Sequence, residues 1–193
     1  MPRFQQYTPQ NAPPASRPIL EQVQKTFGFI PNLMATLAES PQALEGYLTL
    51  DRLLADSSLS PQEQQVVILA ASFENQCEYC MAAHTVVGAM KKVPSDVVAA
   101  IRNGQDIPDN RFAALARFTR EIVRLRGRIP EQELGAFLAA GFSKRNVAEV
   151  ILAVAQKTLS NYLNHIADTP LDEAFAAGRW APLARSPVAA SVG

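Results

Sequence analysis

Residues 60–84 read SPQEQQVVILAASFENQCEYCMAAH, and this stretch contains the strongest helix signals in the 193-residue chain. Ser60 is a preferred N-cap residue, Pro61 suits the first helical position, and Glu63 completes a capping box. The apolar run that follows contains β-branched residues, as a buried strand would, but the cap and the small alanines favour a buried helix. A second helix is predicted over 78–91, because two lysines and then a proline end it.

Helical patterns continue over the rest of the chain. Further helices are predicted at 16–27, 32–39, 41–56, 95–102, 109–125, 130–139 and 143–167. Their apolar residues recur at the spacing of a helical face, and no hairpin signal interrupts them. The sequence therefore predicts an all-α fold.

Proline content and composition divide the chain into an arm, one domain and a tail. Residues 1–16 contain four prolines among polar neighbours, which predicts an extended arm that packs on the surface or on another subunit. Residues 17–180 form a single helical domain with the cysteine motif inside 60–91, and 181–193 form a loose tail. Trp180 is expected to anchor this tail or to dock a neighbouring subunit.

A faint internal repeat relates two of the predicted helices. With a shift of 83 residues, VILA at 67–70 falls on VILA at 150–153, and Ser60 falls on Ser143. Two interpretations stay open: two related helical halves, or coincidence between two buried helices.

Charge and hydropathy exclude several classes of partner. Lys plus Arg and Asp plus Glu are balanced at 18 each, and no basic patch with interleaved aromatics suggests nucleic-acid binding. The longest strongly apolar run, residues 66–73, is too short to cross a bilayer, so no membrane association is expected. The polar, proline-rich start lacks a secretory signal, so a cytoplasmic location is expected.

The two cysteines of the chain, Cys77 and Cys80, form a CxxC motif, and His84 follows one helical turn later. On a helix all three side chains share one face. Two thiols and an imidazole in this arrangement are typical of a redox site or of part of a metal site. A closed zinc site needs a fourth ligand, for which only His165 or a carboxylate is available, so redox chemistry is favoured. A further alternative is a pair of buried cysteines that act only as small hydrophobic residues.

Each cysteine has a plausible means of losing its proton. At the start of a helix the free amides and the dipole would stabilise a Cys77 thiolate, which makes Cys77 the more acidic thiol on this argument. His84 would take the proton of Cys80 directly or through a water. A sulfenic acid on one cysteine would then react with the other, and a dithiol would reduce the resulting disulfide.

The segment from Leu59 through the CxxCxxxH motif resembles the AhpD-like, or carboxymuconolactone decarboxylase-like, family of alkylhydroperoxidases. GFIPN at 28–32 and NHIAD at 164–168 are similar to its peroxidase-related branch, although they are less specific. The resemblance implies an AhpD-like multi-helix bundle and a homo-oligomer, commonly a trimer or hexamer. It also implies reduction of a hydroperoxide, with a dithiol reductant or a partner peroxiredoxin.

The resemblance also implies a role for each residue of the motif. Cys80 would attack the peroxide, Cys77 would resolve the product, His84 would act as base, and Tyr79 would take part in a proton relay. The spacing of His84 independently supports Cys80 as the attacking thiol, against the helix-dipole argument. Where the family has a relay glutamate this chain has Gln65, which cannot accept a proton at neutral pH.

A different carboxylate is a candidate for the missing relay group. Glu74 lies one turn before Cys77 and is the proposed substitute, with a solvated charge at the helix end as the alternative. Glu63 is expected to be occupied by the helix cap. Other polar residues are given structural roles: His165 as a hydrogen-bonded packing residue, and Tyr162, like Tyr79 on the alternative view, as a core aromatic with a polar tip.

We therefore expect a cytosolic thiol oxidoreductase that reduces hydroperoxides and requires no metal or organic cofactor. One alternative is an enzyme of the decarboxylase branch that acts on a lactone or related carboxylate, although that chemistry does not need two cysteines. The other is a non-enzymatic redox-sensing or zinc-binding module.

Overall fold

The computed structural model describes residues 3–183 of the chain, and this range is built from helices. They are α1 (Arg17–Phe27), α2 (Asn32–Leu37), α3 (Pro41–Ala55), α4 (Pro61–Glu74), α5 (Glu78–Met90), α6 (Ser95–Asn103), α7 (Asn110–Leu125), α8 (Glu131–Ala139) and α9 (Lys144–Ala167), followed by a short 3-10 helix, Glu173–Gly178. No strand occurs between residues 3 and 183, so the all-α prediction is confirmed. None of these helices combines the length and the apolar character of a membrane-spanning segment.

Helix α4 lies at the centre of the fold and packs against α3, α5, α6, α7 and α9. Its residues from Val66 to Ala71 are all buried, as expected for a helix that is apolar on every side. The predicted capping box is present: Ser60 Oγ accepts from the Glu63 amide at 3.2 Å, and the Glu63 carboxylate accepts from the Ser60 amide at 2.7 Å. The cap therefore decides for a helix against the buried strand.

Helix α9 packs beside α4 and begins in the same way. Ser143 Oγ accepts from the Asn146 amide at 3.2 Å, and Asn146 Oδ1 accepts from the Ser143 amide at 2.9 Å. The two members of the sequence repeat are thus neighbouring helices with matching caps. Helix α9 is longer, at 24 residues against 14, and its second half reaches the cysteine segment.

Buried apolar residues form two clusters, and helices α3, α5 and α9 contribute to both. The larger cluster is built mainly from α4, α6, α7, α8 and α9. The smaller one joins the N-terminal arm, α1, α2 and α3 to the start of α5, and it includes Cys77, Tyr79 and Cys80. The cysteines therefore lie inside the protein at a junction between helices.

The described part of the N-terminal arm, residues 3–16, packs on its own domain. The Arg3 amide donates to the Ala167 carbonyl at 3.1 Å, and the Tyr7 amide donates to the Ala35 carbonyl at 3.2 Å. Ala12 is buried in the smaller cluster. The arm thus covers the side of the molecule that carries the cysteines.

Residues 170–183, which we call the C-terminal strap, fold back over α5. The Arg102 guanidinium donates to the carbonyls of Gly178 and Arg179, both at 2.8 Å. Trp180 is buried, and its indole N–H donates to the Arg102 carbonyl at 2.9 Å. Trp180 is thus an anchor on the chain's own domain, as expected, whereas residues 184–193 of the predicted tail lie outside the described residues.

The strap touches α5 so closely that Gly178 has no room for a side chain. A Cβ built there would lie 2.1 Å from the carbonyl oxygen of Ala82. We expect Gly178→Ala to lower the free energy of unfolding by about 1–3 kcal/mol, because backbone must move to relieve the overlap. Gly46→Ala in α3 is the matched control, since a Cβ at Gly46 meets nothing within 4 Å. Equal denaturant midpoints for Gly178→Ala and wild type would contradict the close packing of the strap.

Candidate functional site

The turn between α4 and α5 places the cysteine motif in the interior. Gln76 adopts a left-handed conformation with φ of 56°, and the Cys77 amide donates to the Ser72 carbonyl at 2.9 Å. Cys77 is the N-cap residue of α5, and its side chain does not cap the helix. Cys80 lies in the first turn, with an exposed fraction of 1% against 0% for Cys77. Both thiols are free and buried.

Three side chains of α9 contact the sulfur of Cys80. Lys157 Nζ lies 3.4 Å from Cys80 Sγ, and Asn164 Nδ2 lies 3.3 Å from it. Asn164 Nδ2 also lies 3.8 Å from Cys77 Sγ, and Ser160 Oγ lies 3.9 Å from Cys80 Sγ. Lys157 and Asn164 thus direct two hydrogen-bond donors at Cys80 Sγ, which is the environment that a thiolate requires.

The two thiols have opposite acidities. Burial works against a Cys80 thiolate, but the hydrogen bond from Cys77 and the positive charge of Lys157 outweigh it and lower the pKa of Cys80 to about 5. The hydrogen bond to Cys80, followed by burial, raises the pKa of Cys77. These opposite shifts favour Cys80 as the thiolate and Cys77 as the thiol at neutral pH. The contacts of Lys157 and Asn164 with Cys80 favour Cys80, and not Cys77 as the helix-dipole argument expects, as the more acidic thiol.

His84 is held between two partners. Its Nδ1 lies 3.0 Å from Gln65 Oε1, and its Nε2 lies 3.2 Å from Lys157 Nζ. An ammonium can only donate, so Nε2 must accept, and Nδ1 then carries the proton that Gln65 Oε1 accepts. Burial and the charge of Lys157 lower the pKa of His84 well below its ordinary value. The imidazole is therefore neutral, and its free lone pair faces Lys157.

The structure brings Gln65 into the site and not Glu74. Gln65 is buried on α4 and orients His84, although it cannot relay a proton. The Glu74 carboxylate lies 3.5 Å from Arg120 Nε and lines a cavity of about 840 Å³ against α7 and α8 that neither cysteine lines. Within residues 3–183, the hydrogen bonds of Cys80 and His84 do not include Glu74. The expectation that Glu74 replaces the relay glutamate finds no support in this geometry.

The hydroxyl of Tyr79 is used to join three segments. It donates to Asp172 Oδ2 at 2.5 Å and accepts from the Leu33 amide at 3.3 Å, while Asp172 also accepts from the Asn32 amide at 3.1 Å. Burial and the hydrogen bond to Asp172 raise the pKa of Tyr79. Tyr79 thus ties α5 to α2 and to the strap, so its hydroxyl proton is directed to Asp172 and not to a thiol.

The remaining sequence candidates lie outside this network. His165 is exposed on α9, and Tyr162 has an exposed fraction of 53%, so the expectation that both are packed in the interior is wrong. Among residues 3–183, no group of three or more His, Cys, Asp or Glu side chains is arranged to hold a metal. The Lys157 ammonium lies between Cys80 and His84, where a metal bridging these two ligands would have to bind.

Sequence reasoning missed Lys157, Asn164 and Asp172. Lys157 has an exposed fraction of 0%, although lysine is rarely buried completely. One signal was available: Gln156, Lys157, Ser160 and Asn164 form a polar stripe on a helix that otherwise reads as buried. Such a stripe on an inward-facing surface needs polar partners, and here the cysteine motif supplies them.

Gln65→Glu tests the tautomer of His84. A carboxylate against Nδ1–H stabilises the imidazolium, so we expect the pKa of His84 to rise in this variant. An NMR titration of the imidazole signals measures this directly, because the chain contains only 2 histidines and exposed His165 serves as internal reference. Glu74→Gln is the control and should leave both His84 titration and activity unchanged. A His84 signal that titrates identically in Gln65→Glu and wild type would contradict the assigned contact.

Comparison with known proteins agrees with this architecture. Residues 38–126, which contain the cysteine motif, match the model of the carboxymuconolactone decarboxylase family. A peroxidase-related protein with an alkylhydroperoxidase AhpD core from Ralstonia eutropha JMP134 superposes with a TM-score of 0.80 at 24% identity, over 93% of this chain and 97% of that chain. A peroxidase-related protein from Silicibacter sp. TM1040 gives a TM-score of 0.78 at 18% identity, over 90% and 93% of the two chains.

The fold also occurs in an enzyme that acts on a brominated compound. The debrominase Bmp8, as a cysteine-to-alanine variant in complex with 2,3,4-tribromopyrrole, superposes with a TM-score of 0.71 at 15% identity, over 86% of this chain and 89% of that chain. No curated protein matches the sequence significantly. Residues 38–126 are therefore similar to the carboxymuconolactone decarboxylase family, and the chain has the fold of the AhpD-like, peroxidase-related proteins, as the resemblance of the CxxCxxxH segment predicted.

Proposed function

We propose that this chain is a thiol-dependent peroxidase in which Cys80 reduces a hydroperoxide and Cys77 resolves the product. The observation that carries the proposal is the asymmetry of the two sulfurs: Cys80 accepts from Lys157 and Asn164, whereas Cys77 keeps its proton beside it. Two cysteines with a purely structural role would not need different hydrogen-bond partners or different acidities. Two-step reduction of a peroxide needs one thiolate to attack and one thiol to follow.

In the first step, the Cys80 thiolate attacks the terminal oxygen of R–O–O–H. The S–O bond forms, the O–O bond breaks, and the alkoxide leaves and takes a proton to become the alcohol. Cys80 is oxidised to a sulfenic acid. The peroxide is reduced by the same two electrons.

In the second step, Cys77 attacks the sulfenic sulfur of Cys80. The S–S bond forms, the S–OH bond breaks, and hydroxide leaves as water with the proton that Cys77 gives up. The two cysteines lie close enough for this step, since both sulfurs contact the same amide nitrogen of Asn164. An external dithiol, free or on a partner peroxiredoxin, then reduces the disulfide.

The surroundings favour this chemistry over the decarboxylase alternative. The thiols are enclosed by buried apolar side chains that include Leu33, Met34 and Tyr47. Lys157, the buried cation nearest the thiols, is already engaged by Cys80 and His84 and is not free to bind a carboxylate substrate.

Steady-state consumption of cumene hydroperoxide with a small dithiol as reductant tests the proposal. We expect turnover by the wild type and its loss after alkylation of the reduced protein. Because a debrominase shares the fold, 2,3,4-tribromopyrrole is tested in parallel as a different acceptor of two electrons. Debromination without peroxide consumption would replace the proposed activity by reductive dehalogenation, and the absence of both reactions would refute the proposal.

A further inference from the structure

Lys157 is a fully buried cation whose polar contacts belong to the candidate site. Its Nζ lies 3.4 Å from Cys80 Sγ and 3.2 Å from His84 Nε2. Between residues 3 and 183 the ion pairs of the structure do not include Lys157 with any carboxylate. Since His84 is neutral, the Cys80 thiolate is the anion that balances the ammonium. A buried charge without such a partner is strongly unfavourable.

We propose that Lys157 is the proton donor of the reaction and takes the place of the relay carboxylate that Gln65 does not supply. This inference rests on the proposed function. Oxidation of Cys80 removes the negative charge that balances Lys157. An ammonium retained beside a neutral sulfenic acid or disulfide would be an unpaired buried charge, so loss of the thiolate favours release of the lysine proton at the moment when the alkoxide needs one.

The protons and electrons balance with this assignment. The Cys80 thiolate, the Cys77 thiol, the Lys157 ammonium and R–O–O–H become a disulfide, an alcohol, water and a neutral Lys157 amine. The Lys157 proton completes the alcohol, and the Cys77 proton completes the water. Reduction by a dithiol returns one proton to Cys77 and one to Lys157, so the site is electrically neutral in both redox states.

The neutral state of His84 fits this role. Its Nε2 lone pair accepts from Nζ and so positions the ammonium beside Cys80. A glutamate at position 65 would favour the imidazolium, and two cations would then face each other across 3.2 Å. Gln65 carries no charge and therefore favours the neutral imidazole of His84. A neutral His84 does not repel the Lys157 ammonium. His84 and Gln65 are accordingly positioning residues, whereas Lys157 exchanges a proton with the reacting atoms.

Proton counting during oxidation by diamide tests the proposal without a peroxide. Diamide takes up two electrons and two protons when it forms the disulfide. At neutral pH the wild type supplies both protons, one from Cys77 and one from Lys157, so we expect no net uptake from solution. Lys157→Arg keeps the charge but cannot deprotonate, so this variant should take up one proton from solution for each disulfide formed. Uptake of one proton by the wild type would overturn the proposal.

Peroxide turnover of the same variants supplies the second readout. Lys157→Arg should retain the Cys80 thiolate but lose about 10²–10⁴-fold in turnover, the range expected for loss of a general acid. Full turnover in Lys157→Arg would show that the charge alone matters and would overturn proton donation. If Lys157→Arg does not fold, Lys157→Met is used, and an unchanged thiolate absorbance titration in that variant would also overturn the proposal. A wild type that reduces no peroxide yet shows zero proton uptake would refute the proposed function and leave the proton assignment of Lys157 in place.

Discussion

Cys80→Ser is expected to reduce peroxide turnover by about 10³-fold or more, to the level of the uncatalysed reaction. A serine hydroxyl in the same position is far less acidic than a thiol and supplies no sulfur to accept the peroxide oxygen. The donors around Cys80, Lys157 and Asn164, cannot compensate because they act on an anion that no longer forms. Steady-state peroxide consumption measures the loss.

Cys77→Ser is the matched control, because it makes the same chemical change three residues away. We expect this variant to consume one equivalent of peroxide and then to stop, with Cys80 held as a sulfenic acid that dimedone traps. Trapping locates the attacking sulfur directly. A sulfenic acid on Cys77 in the Cys80→Ser variant, and none on Cys80 in Cys77→Ser, would reverse the assigned order and restore the helix-dipole argument.

Cys80 is expected to form a thiolate at a pH far below the ordinary cysteine pKa. With a pKa of about 5 for Cys80 and a raised pKa for Cys77, the reduced protein should contain one thiolate per chain at neutral pH. The ultraviolet absorbance of the thiolate should titrate with a midpoint near pH 5 in the wild type. This titration is absent in Cys80→Ser. Two thiolates that form together near the ordinary cysteine pKa would contradict the asymmetry of the site.

The low pKa of Cys80 also makes the free energy of unfolding depend on pH. The pKa of Cys80 is lower in the folded state, at about 5, than in the unfolded chain, where about 8.5 is expected. The unfolded state therefore binds more protons between these values, and the contribution of Cys80 to the free energy of unfolding falls as pH falls from about 8.5 towards about 5. Denaturant unfolding of wild type and Cys80→Ser across this range should give a difference that shrinks with acidification.

The helices could be predicted because their signals are local. Ser60 and Glu63 form a capping box, and the apolar residues that follow are all close to it in sequence. Both features can be recognised within one segment, and both are present in the structure. The common face of Cys77, Cys80 and His84 followed from the same spacing. These are properties of a single helix and do not depend on how the helices pack.

The rest of the site depends on contacts between distant segments. Lys157 is separated from Cys80 by 77 residues, and Asn164 by 84. Spacing along one helix carries no information about which face of α9 meets α5. The polar stripe on α9 shows that polar partners are required, but only the fold identifies them.

Helical spacing does not predict the position of Glu74 relative to Cys77. One turn separates Glu74 from Cys77 in a continuous helix, but α4 ends at Glu74 and the chain reverses at Gln76, which has a positive φ. After the reversal the two side chains belong to different helices. Glu74 then lies near Arg120 of α7 and Cys77 lies against α9.

The most direct test of the central claim is a single turnover of the reduced protein. One equivalent of cumene hydroperoxide is added without reductant, and the alcohol and the state of both cysteines are measured by chromatography and peptide mass spectrometry. We predict one equivalent of alcohol and an intramolecular disulfide between Cys77 and Cys80. Unreacted peroxide with both thiols still free would contradict the account.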